Sequence, residues 1–186
     1  MTLFQLLMLG ASAFFAFKVY EHIQTLQQPQ QNSKDDDVTD VSSLMDEADA
    51  KMSEGDFNKA LIIYKEANYQ QKDNPDILFK IAYSLMQQDR DEEALEYLND
   101  ALKLDKTSTA IYQALASTYR KLGNFEMAKN SLNSSIAIDG SNPITYYNYG
   151  NLLVDEKEFE EAKKMYKKAL ELDPDFKEAQ EELSKI

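Results

Sequence analysis

From residue 41 onward, apolar side chains recur every three or four positions, and short polar breaks interrupt them at regular intervals. This spacing is typical of amphipathic helices that pack one face against a core. The breaks carry residues that favour turns or helix starts: Gly55-Asp56, Asn74-Pro75, Gly123-Asn124 and Asn142-Pro143. Asparagine is a good N-cap, and proline suits the first helical position. The pattern therefore predicts an all-α fold for this part of the chain.

The helical pattern itself repeats with a period of 34 residues, in the segments 41–74, 75–108, 109–142 and 143–176. One column holds alanine in every segment: Ala60, Ala94, Ala128 and Ala162. The column twelve positions earlier is small throughout: Ala48, Ala82, Ala116 and Gly150. Small residues mark places where paired helices approach closely. Each segment is therefore predicted to form two helices that must stack on neighbouring segments to bury their apolar faces.

This pattern resembles the tetratricopeptide repeat (TPR) family, whose period is also 34 residues. The resemblance covers residues 41–176. Three segments carry the family's aromatic residue after the turn: Phe57, Phe125 and Phe159. The second segment departs from it with Asp91. The resemblance implies a right-handed α-solenoid of four TPR helix pairs, and we expect residues 177–186 to form a C-terminal capping helix.

The resemblance also implies a concave groove, lined by the first helix of each pair, that binds a peptide or a helix of a partner protein. Mapping the family's groove positions gives these candidate binding residues: Phe79, Tyr83, Met86, Gln113, Ser117, Arg120, Lys121, Tyr147, Asn148 and Asn151. Tyr83 and Tyr147 suit either ligand binding or packing between repeats. Arg120 and Lys121 are the only paired cations among these positions, so they are expected to face an acidic group of the partner.

One subtype of the family grips the C-terminal carboxylate of chaperones. Its clamp uses Lys and Asn in one repeat, Asn in the next, and Lys and Arg in a third. The corresponding positions here hold Met45 and Asp49, then Lys80, then Ala110 and Ala114. A shift by one repeat does not restore the clamp. We therefore predict that this chain has no chaperone-tail carboxylate clamp.

The start of the chain follows a different pattern, because residues 1–20 are apolar on all sides and contain no charge before Lys18. Such a segment is long enough to cross about 30 Å of hydrocarbon. We predict a single N-terminal transmembrane helix with its extension over residues 1–28, followed by a flexible polar linker over 29–40. Lys18 and Lys34 both follow the apolar run, which favours a cytoplasmic location for the repeats.

An alternative interpretation rests on Ala11-Ser12-Ala13, which has the small-x-small form of a signal-peptidase site. The segment would then be a signal peptide or a reversed anchor. The protein would be an extracytoplasmic, periplasmic-side TPR assembly factor for envelope proteins. Against cleavage, no basic residue precedes the apolar run, whereas a secretory signal normally begins with one.

Composition limits the chemistry that this chain can perform. Its 186 residues include no cysteine and a single histidine, His22, and the formal net charge is −13. Thiolate chemistry is excluded, and the negative charge argues against nucleic acid as a partner. No phosphate loop, nucleophile elbow or metal-ligand spacing occurs. We therefore predict a membrane-anchored protein–protein interaction module or scaffold that is not an enzyme and has no cofactor or metal.

Overall fold

The computed structural model describes residues 40–186, and the predictions for the membrane helix and for linker residues 29–39 lie outside this range. Residues 40–186 form one compact unit with its own buried core, so we expect the unit to fold without residues 1–39. Its helices are α1 (Val41–Ser53), α2 (Phe57–Gln70), α3 (Pro75–Met86), α4 (Asp91–Leu104), α5 (Thr109–Lys121), α6 (Phe125–Ile138), α7 (Pro143–Asp155), α8 (Phe159–Leu172) and α9 (Lys177–Lys185). The predicted all-α fold is confirmed for this part of the chain.

Helix starts follow the capping chemistry of the sequence. The Asn74 side chain accepts hydrogen bonds from the backbone N–H groups of Asp76 and Ile77, at 3.0 and 3.4 Å. The Asn142 side chain accepts one from Ile144 at 3.0 Å. These bonds satisfy N–H groups that have no partner inside the helix.

The turn inside each helix pair has a residue in the left-handed backbone region at one repeat column. The φ angles are 78° at Gly55, 53° at Asp89, 75° at Gly123 and 65° at Lys157. Glycine adopts this conformation without steric cost, whereas Asp89 and Lys157 carry a Cβ atom there. The glycines predicted two of these turns from the sequence. The other two lie at Asp89 and Lys157, each 34 residues after one of the glycines.

The core follows the small and large columns of the repeat. The invariant alanines are fully buried, and the residues four positions later are also buried: Tyr64, Leu98, Leu132 and Tyr166. At the C-terminal end, Ala179 of α9 is fully buried. Leu183 and Ile186 pack against the cluster that contains Leu153. Helix α9 therefore covers the apolar end of repeat four.

The stacking places the first helices of the pairs on the inner side of the solenoid. Helix α3 contacts α5, and α5 contacts α7, in addition to the contacts between helices adjacent in the chain. Within residues 40–186, successive second helices make no comparable contact. No helix in these same residues is both long enough and apolar enough to span a membrane.

Candidate functional site

The groove side of α3 carries two stacked aromatic side chains, the half-buried Phe79 and the exposed Tyr83. Phe79 and Tyr83 stack with their ring centroids 6.4 Å apart and their planes inclined by 20°, and Tyr83 remains 45% exposed. Met86 is half-buried one turn further along the helix. The pair borders a pocket of about 340 Å³ lined by Asp49, Met52, Ser53, Tyr64, Asp76, Phe79, Lys80 and Tyr83. We call this space the groove pocket.

A buried tyrosine and an ion pair form the polar wall of the groove pocket. Lys80 Nζ lies 2.7 and 2.8 Å from the two carboxylate oxygens of Asp49, and the Tyr64 hydroxyl donates to the same carboxylate. Partial burial acts to raise the pKa of Asp49, but the bonds from Lys80 and Tyr64 outweigh it, so the pKa is lowered. Burial raises the pKa of Tyr64. Asp49 is therefore ionised and Tyr64 neutral at pH 7, and the wall joins repeats one and two.

In repeat three, Gln113 turns its amide toward the next repeat. Its Nε2 donates to Thr145 Oγ1 at 2.7 Å, and the Thr145 hydroxyl also lies 3.0 Å from Ser135 Oγ. Thr145 and Ser135 are fully buried. Ser117, one turn along α5, is half-buried and forms no side-chain hydrogen bond within residues 40–186. Gln113 thus ties repeat three to repeat four.

The two adjacent cations of repeat three point in different directions. Arg120 Nη1 lies 2.9 Å from Asp155 Oδ2 of repeat four. Lys121 Nζ lies 2.9 Å from Asp89 Oδ1 and 3.3 Å from Asp91 Oδ2, both of repeat two. The hydrogen bond to Asp89 raises the pKa of Lys121. Each cation already has a carboxylate partner, so an acidic group of a ligand would have to displace one.

Lys121 also explains the position at which repeat two departs from the family pattern. Asp91 replaces the aromatic residue found after the other turns, and it is only 7% exposed. Its Oδ2 meets Lys121, while its Oδ1 is buried without a hydrogen-bond partner within residues 40–186. A buried carboxylate depends strongly on such a partner. Lys121 therefore has a structural role at the boundary of repeats two and three.

In repeat four, the predicted groove residues are divided between packing and exposure. The Tyr147 ring lies 6.0 Å from that of Tyr166 and 5.1 Å from that of Phe176. The Tyr166 hydroxyl donates to Asn151 Oδ1 at 2.7 Å. Asn148 is half-buried and makes no side-chain hydrogen bond within residues 40–186. The two tyrosines for which binding and packing were both open have different surroundings: Tyr83 is exposed, whereas Tyr147 packs on its neighbours.

The partnership of Asp49 with Tyr64 was not among the sequence predictions, although the repeat contains a signal for it. Asp49 precedes Tyr64 by 15 residues, and Asn151 precedes Tyr166 by the same 15 residues. Both terminal repeats thus place a polar acceptor opposite a buried tyrosine. Repeats two and three have leucine in the tyrosine column, at Leu98 and Leu132.

The site offers binding surfaces, and its acidic residues are dispersed. Within residues 40–186, no group of three or more His, Cys, Asp or Glu side chains is arranged to hold a metal ion. The contacts seen in the groove are aromatic stacking, apolar packing, hydrogen bonds and ion pairs.

Comparison with known proteins places these features in a family. Models described as tetratricopeptide repeat match residues 51–118, 109–142 and 144–176. The TPR repeat-containing protein YpiA of Bacillus subtilis (strain 168) is 28% identical over 132 residues, which is 71% of this chain and 31% of that protein. This chain therefore spans about a third of the length of that relative.

Solved structures show the same fold. A crystal structure of MamA protein is 26% identical, with a TM-score of 0.65, over 77% of this chain and 78% of that one. The first TPR of Spaghetti (RPAP3), bound to the HSP90 peptide SRMEEVD, is 28% identical with a TM-score of 0.57, over 60% of this chain and 88% of that one. The tetratricopeptide repeat family models cover most of the described helices, and the helix pairs stack as a solenoid. This chain belongs to the tetratricopeptide repeat family.

Proposed function

We propose that this protein is a membrane-anchored interaction module that binds a peptide or helix of a partner protein in its concave groove and performs no catalysis. The observation that carries the proposal is the exposed Tyr83, which stacks on the half-buried Phe79 beside the groove pocket. Aromatic residues that remain exposed next to a concave surface provide contact area at low entropic cost. Met86 adds an apolar surface that adapts to its ligand. The peptide-bound relative supports a peptide as the ligand.

The groove is tested by crosslinking in intact membranes followed by mass spectrometry. The full chain is compared with a triple variant, Phe79→Ala/Tyr83→Ala/Asn148→Ala. We expect the triple variant to lose the crosslinked partners. A control variant, Ile62→Ala, removes an apolar side chain that is 65% exposed on the second helix of repeat one. The control is expected to keep the partners, and partners that survive the triple variant would contradict the proposal.

The membrane anchor is the second part of the proposal and rests on the apolar sequence of residues 1–20. A reporter that is active on one side of the membrane, fused after Ile186, tests sidedness. We expect activity on the cytoplasmic side and an intact N-terminus. Activity on the outer side, or a mass that shows cleavage after Ala13, would favour the extracytoplasmic assembly factor instead.

We further propose that the groove does not clamp chaperone tails. The Asp49 carboxylate, already bonded to Lys80, occupies a position at which the clamp uses a donor. A carboxylate at that point repels an incoming carboxylate. Titration of the unit 40–186 with the peptide Ser-Arg-Met-Glu-Glu-Val-Asp tests this directly, since a relative binds that sequence. We expect no saturable binding, and saturable binding would contradict this part of the proposal.

A further inference from the structure

The outer side of the solenoid carries a second and larger pocket, of about 640 Å³, at the junction of repeats one and two. We call it the outer pocket. Its walls are the second helices α2 and α4, together with the turn that leads into α3 and the first turn of α3. The residues that matter for its chemistry are Lys65, Asn68, Tyr69, Lys72, Leu78 and Tyr97. It shares no lining residue with the groove pocket.

The outer pocket occurs where this junction departs from the repeat pattern. Leu78 stands in a column that holds Tyr112 and Tyr146 in the next two repeats, so a smaller side chain leaves space at the first junction. Asn68 stands in a column that is apolar in every other repeat: Leu102, Ile136 and Leu170. A polar residue in an apolar column weakens a core unless something pairs with it.

Asn68 lacks such a partner within residues 40–186. Its Oδ1 atom is buried and accepts no hydrogen bond there. Buried side-chain polar atoms are nearly always bonded, so an orphan of this kind points to a ligand that supplies the missing donor. A side-chain amide pairs well with a peptide group, which offers an N–H donor.

The charges around the outer pocket favour a negatively charged ligand. Lys65 and Lys72 form no ion pair with residues 40–186, and Lys65 Nζ is held 5.8 Å from the centroid of the Tyr97 ring. Of the two carboxylates that line the pocket, Asp100 is paired with Lys103 at 2.7 Å, which leaves Asp73. The lining is therefore net positive in a chain whose net charge is −13.

Apolar surface accompanies these charges. Leu78 forms the floor and is 8% exposed, while Leu104 and Tyr69 at the rim are 45% and 80% exposed. We propose that the outer pocket is a second peptide-binding site that takes an acidic segment of a partner protein with an aliphatic side chain at its centre. The aliphatic side chain fills the space above Leu78. The flanking carboxylates face Lys65 and Lys72, and a backbone N–H donates to Asn68.

The test is a titration of the ¹⁵N-labelled unit 40–186, followed by NMR, with the blocked peptide Asp-Glu-Leu-Glu-Asp. We expect saturable shifts at the amides of Tyr69 and Lys72. The variants Leu78→Tyr and Asn68→Leu install residues that the other repeats already hold at these columns, and each is expected to weaken binding at least tenfold. Thermal unfolding of both variants verifies that they fold.

Matched controls separate this site from the groove and from general charge attraction. Lys72→Glu is expected to abolish the shifts, whereas Lys106→Glu, at the same column of the next repeat, leaves them unchanged. The variant Phe79→Ala/Tyr83→Ala is also expected to leave the peptide-induced shifts unchanged. The outer-pocket proposal and the groove proposal can therefore be confirmed or contradicted separately. The proposal is overturned if the peptide Lys-Lys-Leu-Lys-Lys binds equally well, or if inorganic phosphate alone shifts the same amides. Unchanged binding by Leu78→Tyr and Asn68→Leu would also overturn it.

Discussion

The concave groove has a first half, formed by repeats one and two, and a second half, formed by repeats three and four. The two halves place side chains with different contacts at the same repeat columns. In the first half, Phe79 and Tyr83 stack beside an open pocket, and Tyr83 is 45% exposed. In the second half, Gln113 bonds to Thr145, and Tyr147 packs against its neighbours. Phe79, Gln113 and Tyr147 stand at one repeat column, so equivalent positions can border an open pocket in one repeat and hold the array together in another. A family groove position therefore does not by itself say what a side chain contacts, because the packing around each repeat decides that.

The largest expected difference between the halves is in stability. Tyr147→Ala removes the ring that contacts Tyr166 and Phe176, and we expect it to lower the free energy of unfolding by about 3 kcal/mol. Tyr83→Ala removes a half-exposed ring, and we expect a loss below about 1 kcal/mol. Urea unfolding of the unit 40–186 measures both. Equal losses would remove the distinction between the halves.

Gly150 supports the packing of the second half. A Cβ atom at this position would overlap the Tyr166 ring, so Gly150→Ala is expected to destabilise the unit by about 2 kcal/mol. The double variant Gly150→Ala/Tyr166→Leu reproduces the alanine and leucine that repeat two holds at Ala82 and Leu98, and it should recover part of the loss. A neutral Gly150→Ala would show that Tyr166 moves freely.

Thr145 links the second half through its buried hydroxyl. Thr145→Val leaves the Gln113 amide and the Ser135 hydroxyl without this partner, and the expected cost is about 1–2 kcal/mol. Ser117→Ala serves as the control, because Ser117 makes no side-chain hydrogen bond within residues 40–186. Chemical denaturation of the two variants should separate them clearly. A control as costly as Thr145→Val would contradict the structural role assigned to Gln113.

At the turns, one substitution is expected to stabilise the unit instead of destabilising it. Lys157 holds a left-handed conformation with φ of 65°, at the column where repeats one and three have glycine. Lys157→Gly is expected to stabilise the unit by about 1 kcal/mol, since glycine removes the steric cost of the Cβ atom. Gly123→Ala should destabilise it for the same reason. Melting temperatures that move in the other direction would disprove this account of the turns.

The smallest expected effect concerns pH and the ion pair of the first half. The folded-state pKa of Asp49 is lowered from its ordinary value of 3.8, so its bonds to Lys80 and Tyr64 stabilise the fold above about pH 4. This contribution is lost as the pH falls through the lowered value. The difference in stability between the wild type and Asp49→Asn should therefore shrink in acid. A difference that grows in acid would show that the Asp49 pKa is raised.

The sequence sufficed to predict the helices, because the repeat, the asparagine caps and the small columns are all local or periodic signals. It did not reveal which groove residues have internal partners. Arg120 and Lys121 are adjacent in the chain, yet successive residues on a helix point about 100° apart, so they meet carboxylates of different repeats. Such pairings depend on how repeats stack, and that information lies in contacts between residues far apart in sequence.

The central claim is that Tyr83 in the first half of the groove contacts the partner, whereas Tyr147 in the second half packs against residues of this chain. The most direct test replaces one tyrosine at a time with photoreactive benzoylphenylalanine, at Tyr83 or at Tyr147, in the full chain expressed in its native cells. Irradiation should crosslink a partner protein from position 83 and only residues of this chain from position 147. A partner crosslinked from position 147, with none from position 83, would contradict the account.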